Sequence, residues 1–309
     1  MLMTTRRDFL KIAGALPFCA AAQGRKELKT SLNAYSFNKM LNDSIKGRGA
    51  GITLIQVLEF AAKNKFEGFD ATGYYFPGYP ERPTDAYIDT LKRRAVDLGI
   101  GISGTGVRNN FTTADKAIRD AGVKHIKEYV EVAARLGAPV IRVFADTQMR
   151  AQTWETVSKG ATRAQVQDWI AAALRDCADH GRQYKVRIGV QNHGDFLKSG
   201  PELLALIKAV GSEWCGPIVD TGYFKTKDPY EDMALVAPRA VNWQIKQSPV
   251  GEDSDVPTDL IRLMNIVRKS GYSGYLPIET LSPRGAPYDP FTVVPAFLNQ
   301  VRDAIAKTA

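Results

Sequence analysis

Between Ile188 and Glu279 the chain reads Ile188-Gly-Val-Gln-Asn-His193, Gly216-Pro-Ile-Val-Asp220, Val241-Asn-Trp-Gln-Ile-Lys246 and Tyr275-Leu-Pro-Ile-Glu279, four short apolar runs that each end in polar side chains. Segments with helical periodicity, Pro201–Val210, Pro229–Val236 and Leu260–Ser270, lie between them. Strand and helix in alternation imply parallel pairing, because the chain must cross over before each new strand can begin at the same end. Parallel strands then deliver Gln191, Asp220, Gln244 and Glu279 to one end of a sheet or barrel. Oxygen donors that converge on a pocket suit a divalent cation, so the expectation is an enzyme.

The same alternation extends upstream. Strands are expected over Ser31–Phe37, Glu67–Thr72, Ile100–Gly106 and Val140–Ala145, followed by Arg187–Asn192, Gly216–Asp220, Val241–Lys246 and Gly274–Thr280. Helical patterns cover Leu54–Asn64, Asp85–Leu98, Thr113–Leu136 and Ala164–Gln183, then the three segments above and a final Pro290–Lys307. Eight strands, each followed by a helix, within 309 residues predict an α/β fold with a single (β/α)8 TIM barrel. A doubly wound open sheet is the competing architecture, but no Gly-x-Gly-x-x-Gly fingerprint follows the first strand. No linker or low-complexity tract marks a second domain, so residues 23–309 form one barrel domain.

Residues 1–22 carry a different signal. Thr5-Arg-Arg-Asp-Phe-Leu-Lys11 leads into an apolar segment ending in Ala20-Ala-Ala22, the pattern of a twin-arginine signal peptide with a small-residue cleavage site. The expected location is therefore periplasmic, with no transmembrane segment in the mature protein. The formal charge of +8 is spread over interspersed acids and bases, as in Lys124-His-Ile-Lys-Glu128, which describes a solvated surface and not a nucleic-acid stripe. Cys19 leaves with the signal, while Cys177 and Cys215 read as buried apolar groups.

Side chains two apart on a strand share a face, so Gln191 pairs with His193, Gln244 with Lys246, and Arg142 with Phe144 and Asp146. That many polar groups cannot be packed dry without partners; they form either a working site or a closed hydrogen-bonded plug. Tyr35, Phe37, Phe144, Tyr223 and the aromatic stretch Thr72-Gly-Tyr-Tyr-Phe-Pro-Gly-Tyr-Pro80 supply rings that stack on sugar C–H faces. Trp243 falls off the inward face by alternation. Arg142, Arg108, Tyr74 and Asn192 are the candidate substrate-binding residues.

From residue 30 to the C-terminus the chain resembles the sugar phosphate isomerase/epimerase family with its xylose isomerase-like TIM barrel. The resemblance rests on Gln191-Asn-His193 where the family often has Glu-Asn-His, Asp220-Thr-Gly222, Gln244-Ile-Lys246 where His-x-Lys is usual, and Pro277-Ile-Glu279. It implies a metal held by Gln191, Asp220, Gln244 and Glu279. With two neutral amides among those four, Mn²⁺ or Mg²⁺ is the expected ion and Zn²⁺ the alternative, the latter with His193 as a nitrogen ligand.

The family's two-carboxylate epimerisation needs a second acid that Gln191 cannot supply, because an amide does not titrate near neutrality. Glu279 is left as the expected base, with His193 or Lys246 as its acid partner. The reading is a sugar isomerase or epimerase acting on a sugar or keto-sugar by metal-assisted proton abstraction next to a carbonyl. A lyase or hydratase on 3-keto-glycosides and a non-catalytic periplasmic sugar-binding barrel are the alternatives. The DNA-repair endonuclease of the same superfamily needs several His around three zincs. This chain has three His in all, two of them in helical patterns, so no nucleic-acid partner is expected. A homo-oligomer is compatible with the sequence.

Overall fold

The computed structural model describes residues 27–49, 51–148, 152–247, 256–281 and 287–309, so the expected signal peptide lies outside the described residues. Eight strands close on themselves in sequence order. They are β1 (Leu28–Asn33), β2 (Gly68–Thr72), β3 (Gly101–Gly106), β4 (Val140–Phe144), β5 (Arg187–Gln191), β6 (Cys215–Asp220), β7 (Asn242–Lys246) and β8 (Gly274–Glu279). Every neighbouring pair is parallel, and β8 pairs with β1 through the register Leu28↔Gly274 to Leu32↔Ile278. This is the expected (β/α)8 barrel.

Around it run α1 (Asn38–Ile45), α2 (Leu54–Lys63), α3 (Asp85–Asp97), α4 (Lys116–Leu136), α5 (Trp154–Val157), α6 (Arg163–Tyr184), α7 (Gly200–Val210), α8 (Pro229–Val236), α9 (Leu260–Lys269) and α10 (Pro290–Lys307). Their starts are written into the sequence. Thr53 with Gln56, Thr162 with Gln165 and Ser199 with Glu202 each form a reciprocal capping box that satisfies orphan N–H groups at the first turn. Gly137 ends α4 in the left-handed region at φ 85°, a conformation that costs a residue with a Cβ.

Parallel strands covered by helices are buried on both faces. Strands β2, β4, β6 and β7 are buried along their whole length, and Trp243 on β7 is buried on the helix side with Tyr272 at 6.1 Å. Cys177 and Cys215 are buried free thiols, in keeping with the sequence. Among the described residues no helix is long and apolar enough to cross a membrane.

The start of the barrel departs from expectation. The strand expected over Ser31–Phe37 stops at Asn33, and Ala34–Phe37 becomes a 3-10 turn. Asn33 causes the break: its side-chain oxygen accepts the Tyr35 N–H at 2.9 Å, a local bond that competes with the ladder. Phe37 is turned away from the barrel mouth and packs against Phe60 and Phe291 at 5.1 and 5.3 Å. It does not line the cavity described below.

Inside the barrel, small and large residues must alternate to fill the tapering space. Gly189 on β5 sits between Val140 of β4 and Ile218 of β6; a Cβ there would lie 2.5 Å from Ile218 Cδ1 and 2.9 Å from Val140 Cγ2. Gly189→Val is expected to destabilise the fold by about 1–3 kcal/mol through overpacking. Urea unfolding of the two chains checks this, and an unchanged midpoint would mean that the layer has room.

Candidate functional site

The C-terminal ends of the strands surround a cavity of about 670 Å³, open to solvent and lined by residues of β4, β5, β7 and β8 and of the segments that follow β1 to β6 and β8. This is where (β/α)8 barrels place their chemistry. Of the expected site residues, Glu279, His193, Lys246, Arg142, Tyr74, Arg108 and Gln191 line it. Asp220 and Gln244 are fully buried and lie outside its lining, within hydrogen-bond reach of residues of the barrel mouth.

Lys246 forms the centre of the floor. Its Nζ lies 2.5 Å from Glu279 Oε1 and 3.4 Å from Asp220 Oδ2, with all three side chains almost wholly buried. Burial alone would lower the ammonium pKa, but the charges of Asp220 and Glu279 outweigh it and raise the group above the ordinary lysine value. Asp220 shifts upward instead. Burial is the main cause, and the Glu279 charge adds to it against the opposing pull of Lys246.

The amides complete the network. Gln191 Nε2 donates to Asp220 Oδ2, and the Gly222 N–H donates to Asp220 Oδ1 at 2.9 Å. Asn33 Nδ2 donates to both Gln244 Oε1 at 2.5 Å and Glu279 Oε2 at 2.9 Å. Gln191 Oε1 is buried with no partner. A buried carbonyl oxygen left without a donor is costly, and this one belongs to a cavity-lining residue.

A second ion pair lies alongside. Arg142 Nη1 donates to Asp70 Oδ2 at 2.8 Å, and Nη2 reaches Thr72 Oγ1 and Tyr74 Oη at 3.4 and 3.5 Å. Both charged side chains are buried, and although burial works against the guanidinium charge, Asp70 holds its pKa above the ordinary value. Gln244 Nε2 also approaches Asp70 Oδ2 at 3.4 Å, which joins the two ion pairs.

His193, directly after β5, has its Nδ1 2.5 Å from Asp146 Oδ2, and Gln148 Nε2 donates to Asp146 Oδ1 at 2.6 Å. A carboxylate on Nδ1 fixes the tautomer with the proton on that nitrogen, which leaves Nε2 for a substrate. Burial tends to raise the Asp146 pKa, but the hydrogen bond and charge of His193, with Gln148, bring it below the usual carboxylate range. The imidazole rests on the Tyr223 ring at 4.1 Å and against Phe144 at 5.1 Å.

Tyr35 and Tyr74 form the opposite part of the wall, edge to face at 6.3 Å, and Arg108 lies 5.0 Å over the Tyr74 ring. Asn192, expected to contact substrate, does not reach the cavity. It is fully buried, and its amide bridges the backbone N and O of Asp220 at 2.8 and 2.9 Å. Alternation explains this, since Gln191 and His193 take the inward direction and Asn192 between them faces away. Asn33 and Asp70 belong to the network although nothing near them in the sequence marked them. Asn109 ties β3's loop to Phe144 through both of its amide atoms. His125 and His180 lie in α4 and α6, apart from the site.

The four residues expected to ligate a cation therefore do meet, but the oxygens of Asp220, Gln244 and Glu279 are already engaged. Gln191 turns its nitrogen, not its oxygen, toward Asp220, and the Lys246 ammonium occupies the place between the two carboxylates. Among the described residues no group of three or more His, Cys, Asp or Glu is arranged to hold a metal ion. This donor set, as folded, does not fit a divalent ion.

The family model for the xylose isomerase-like TIM barrel matches residues 58–299. Solved structures of the same architecture include D-psicose 3-epimerase from Clostridium cellulolyticum H10 with D-tagatose, at 14% identity, covering 90% of this chain and 99% of that one with a TM-score of 0.71. The apo form of 3-keto-D-glucoside 4-epimerase from E. coli has 14% identity, covers 90% and 99%, and has a TM-score of 0.68. IOLI protein with a bound zinc atom has 15% identity, covers 91% and 99%, and has a TM-score of 0.70. No curated protein matches in sequence. At such identities the likeness is one of fold.

Removing one member of the Arg142–Asp70 pair leaves a buried charge without its counterion. Arg142→Ala is expected to lower stability by about 3–5 kcal/mol. Denaturant unfolding measures it, and a loss under ~1 kcal/mol would place the pair in water.

Proposed function

This chain belongs to the xylose isomerase-like TIM-barrel family, and from that premise we propose that it is a sugar isomerase or epimerase that moves a proton on the carbon next to a carbonyl. The observation that carries this reading is the Lys246–Glu279 contact at the floor of a cavity walled by Tyr35, Tyr74, Phe144 and Tyr223. A carboxylate and an ammonium side by side match the two demands of enolisation. One takes the proton from carbon, and the other meets the negative charge that appears on oxygen.

In this scheme a sugar lies against the tyrosine rings. Glu279 accepts the α-proton. The C–H electron pair becomes the C=C bond of an enediolate, and the former carbonyl oxygen, now anionic, accepts a hydrogen bond from Lys246. His193 shuttles the second proton through Nε2, with Asp146 stabilising the imidazolium form and holding the ring in place. No step requires a metal, in keeping with the donor set.

One observation favours elimination from a 3-keto-glycoside as the second reading. At the strand-five position the cavity meets Gln191, which does not titrate, so Glu279 without a second acid at that position suits a reaction whose proton loss and leaving-group departure occur on different atoms. The two readings separate on product: epimerisation gives an isomer labelled from solvent, whereas elimination releases the aglycone. Export to the periplasm belongs to the same proposal and rests on Arg6-Arg7 and the apolar run after them. Arg6→Lys/Arg7→Lys is expected to hold the full chain in the cytoplasm, as read by cell fractionation.

Glu279→Gln is expected to abolish deuterium uptake from D₂O at the carbon next to the carbonyl across a panel of ketoses and 3-keto-glycosides, and His193→Ala to slow it by about 10²–10⁴-fold. Near-normal uptake in a folded Glu279→Gln chain would remove the carboxylate from the mechanism.

A further inference from the structure

Relatives of this fold include one solved with zinc, yet here the position between the two strand-end carboxylates is filled from within the chain. Lys246 Nζ stands 2.5 Å from Glu279 Oε1 and 3.4 Å from Asp220 Oδ2. A hard divalent ion binds oxygen at about 2.0–2.6 Å, so an ion bridging the same two carboxylates would have to sit where the ammonium is. The ammonium would have to leave its present contacts, since a dication and an ammonium at that range repel strongly in a buried site.

The neighbouring groups are arranged for a cation that donates hydrogen bonds. Glu279 Oε2 and Gln244 Oε1 are taken by Asn33, and Gln191 gives Asp220 its nitrogen. To ligate an ion, both glutamines would need new orientations, Asn33 would lose two acceptors, and Lys246 would need somewhere else to go.

We propose that the Lys246 ammonium replaces the divalent cation in this barrel, serving as the counterion shared by Asp220 and Glu279 and as the electrophile that meets the substrate's carbonyl oxygen. The protein is then independent of added metal. Lys246 becomes a catalytic residue whose positive charge cannot be removed by a chelator. Only the identity of the oxygen it meets rests on the sugar reading above; exclusion of the ion is a property of the chain alone.

The test is Mn²⁺ binding, followed by electron paramagnetic resonance of the free ion, on the purified, chelator-treated protein without substrate. The wild-type chain is expected to leave the free Mn²⁺ signal undiminished up to about 1 mM, the weak end of natural cation sites. Lys246→Ala, with its fold verified by circular dichroism, is expected to bind Mn²⁺ on the order of 100-fold more tightly, because two buried carboxylates lose their counterion. Uptake of one Mn²⁺ per wild-type chain, abolished by Asp220→Asn, would overturn the proposal. A folded Lys246→Ala chain that binds no better than wild type would do the same, by showing that the ammonium is not what keeps the ion out. Because no turnover is measured, failure here leaves the sugar chemistry standing, and failure of the deuterium assay leaves this result intact.

Discussion

Two carboxylates, Asp220 and Glu279, are held at the mouth of a closed barrel where water scarcely reaches, and the remaining polar groups there are arranged to make that tolerable. An ionised carboxylate taken out of water costs several kcal/mol unless an opposite charge and good hydrogen bonds accompany it. Lys246 supplies the charge to both, and Gln191, Gly222 and Asn33 supply the hydrogen bonds. The barrel makes this arrangement possible because parallel strands bring side chains far apart in sequence to one level: Asn33 and Glu279 are 246 residues apart yet share a bond.

Much of this was legible from one chain. The alternation of apolar runs and helical patterns specified eight strands within a few residues, since the strands are largely buried on both faces and most of the helices carry a side-chain cap. Period two on the strands placed Gln191, Gln244, Lys246 and Glu279 on the inward side and sent Trp243 outward, as observed. The same rule, applied to Asn192, should have excluded it from the substrate list, because it sits between two inward residues. Its amide clamps the Asp220 backbone instead, so it acts on the site through strand position.

Asn33 and Asp70 were not legible because their importance lies in partners that only closure supplies. Asn33 ends β1 and touches β7 and β8, which close against it from the far end of the sequence. Asp70 becomes an ion-pair partner only when Arg142 of β4 crosses the barrel mouth to reach β2. Asn33 also ended its strand early, and a short polar side chain that bonds its own backbone two residues on is a local signal that strand propensity concealed.

The two glutamines and the lysine are best understood together. A ring of acids at these positions would concentrate negative charge that only a dication could balance. With Gln191 and Gln244 neutral, the connected network sets three carboxylates, Asp70, Asp220 and Glu279, against two cations, Arg142 and Lys246. That leaves an excess of one negative charge, spread over Asp220 and Glu279 and softened by amide N–H groups. A divalent ion in place of the ammonium would balance that charge but would leave Lys246 without its two carboxylate partners. The amides therefore do more than weaken a metal site: they lower the negative charge to a level that one ammonium can manage, and Lys246 is the ammonium within reach.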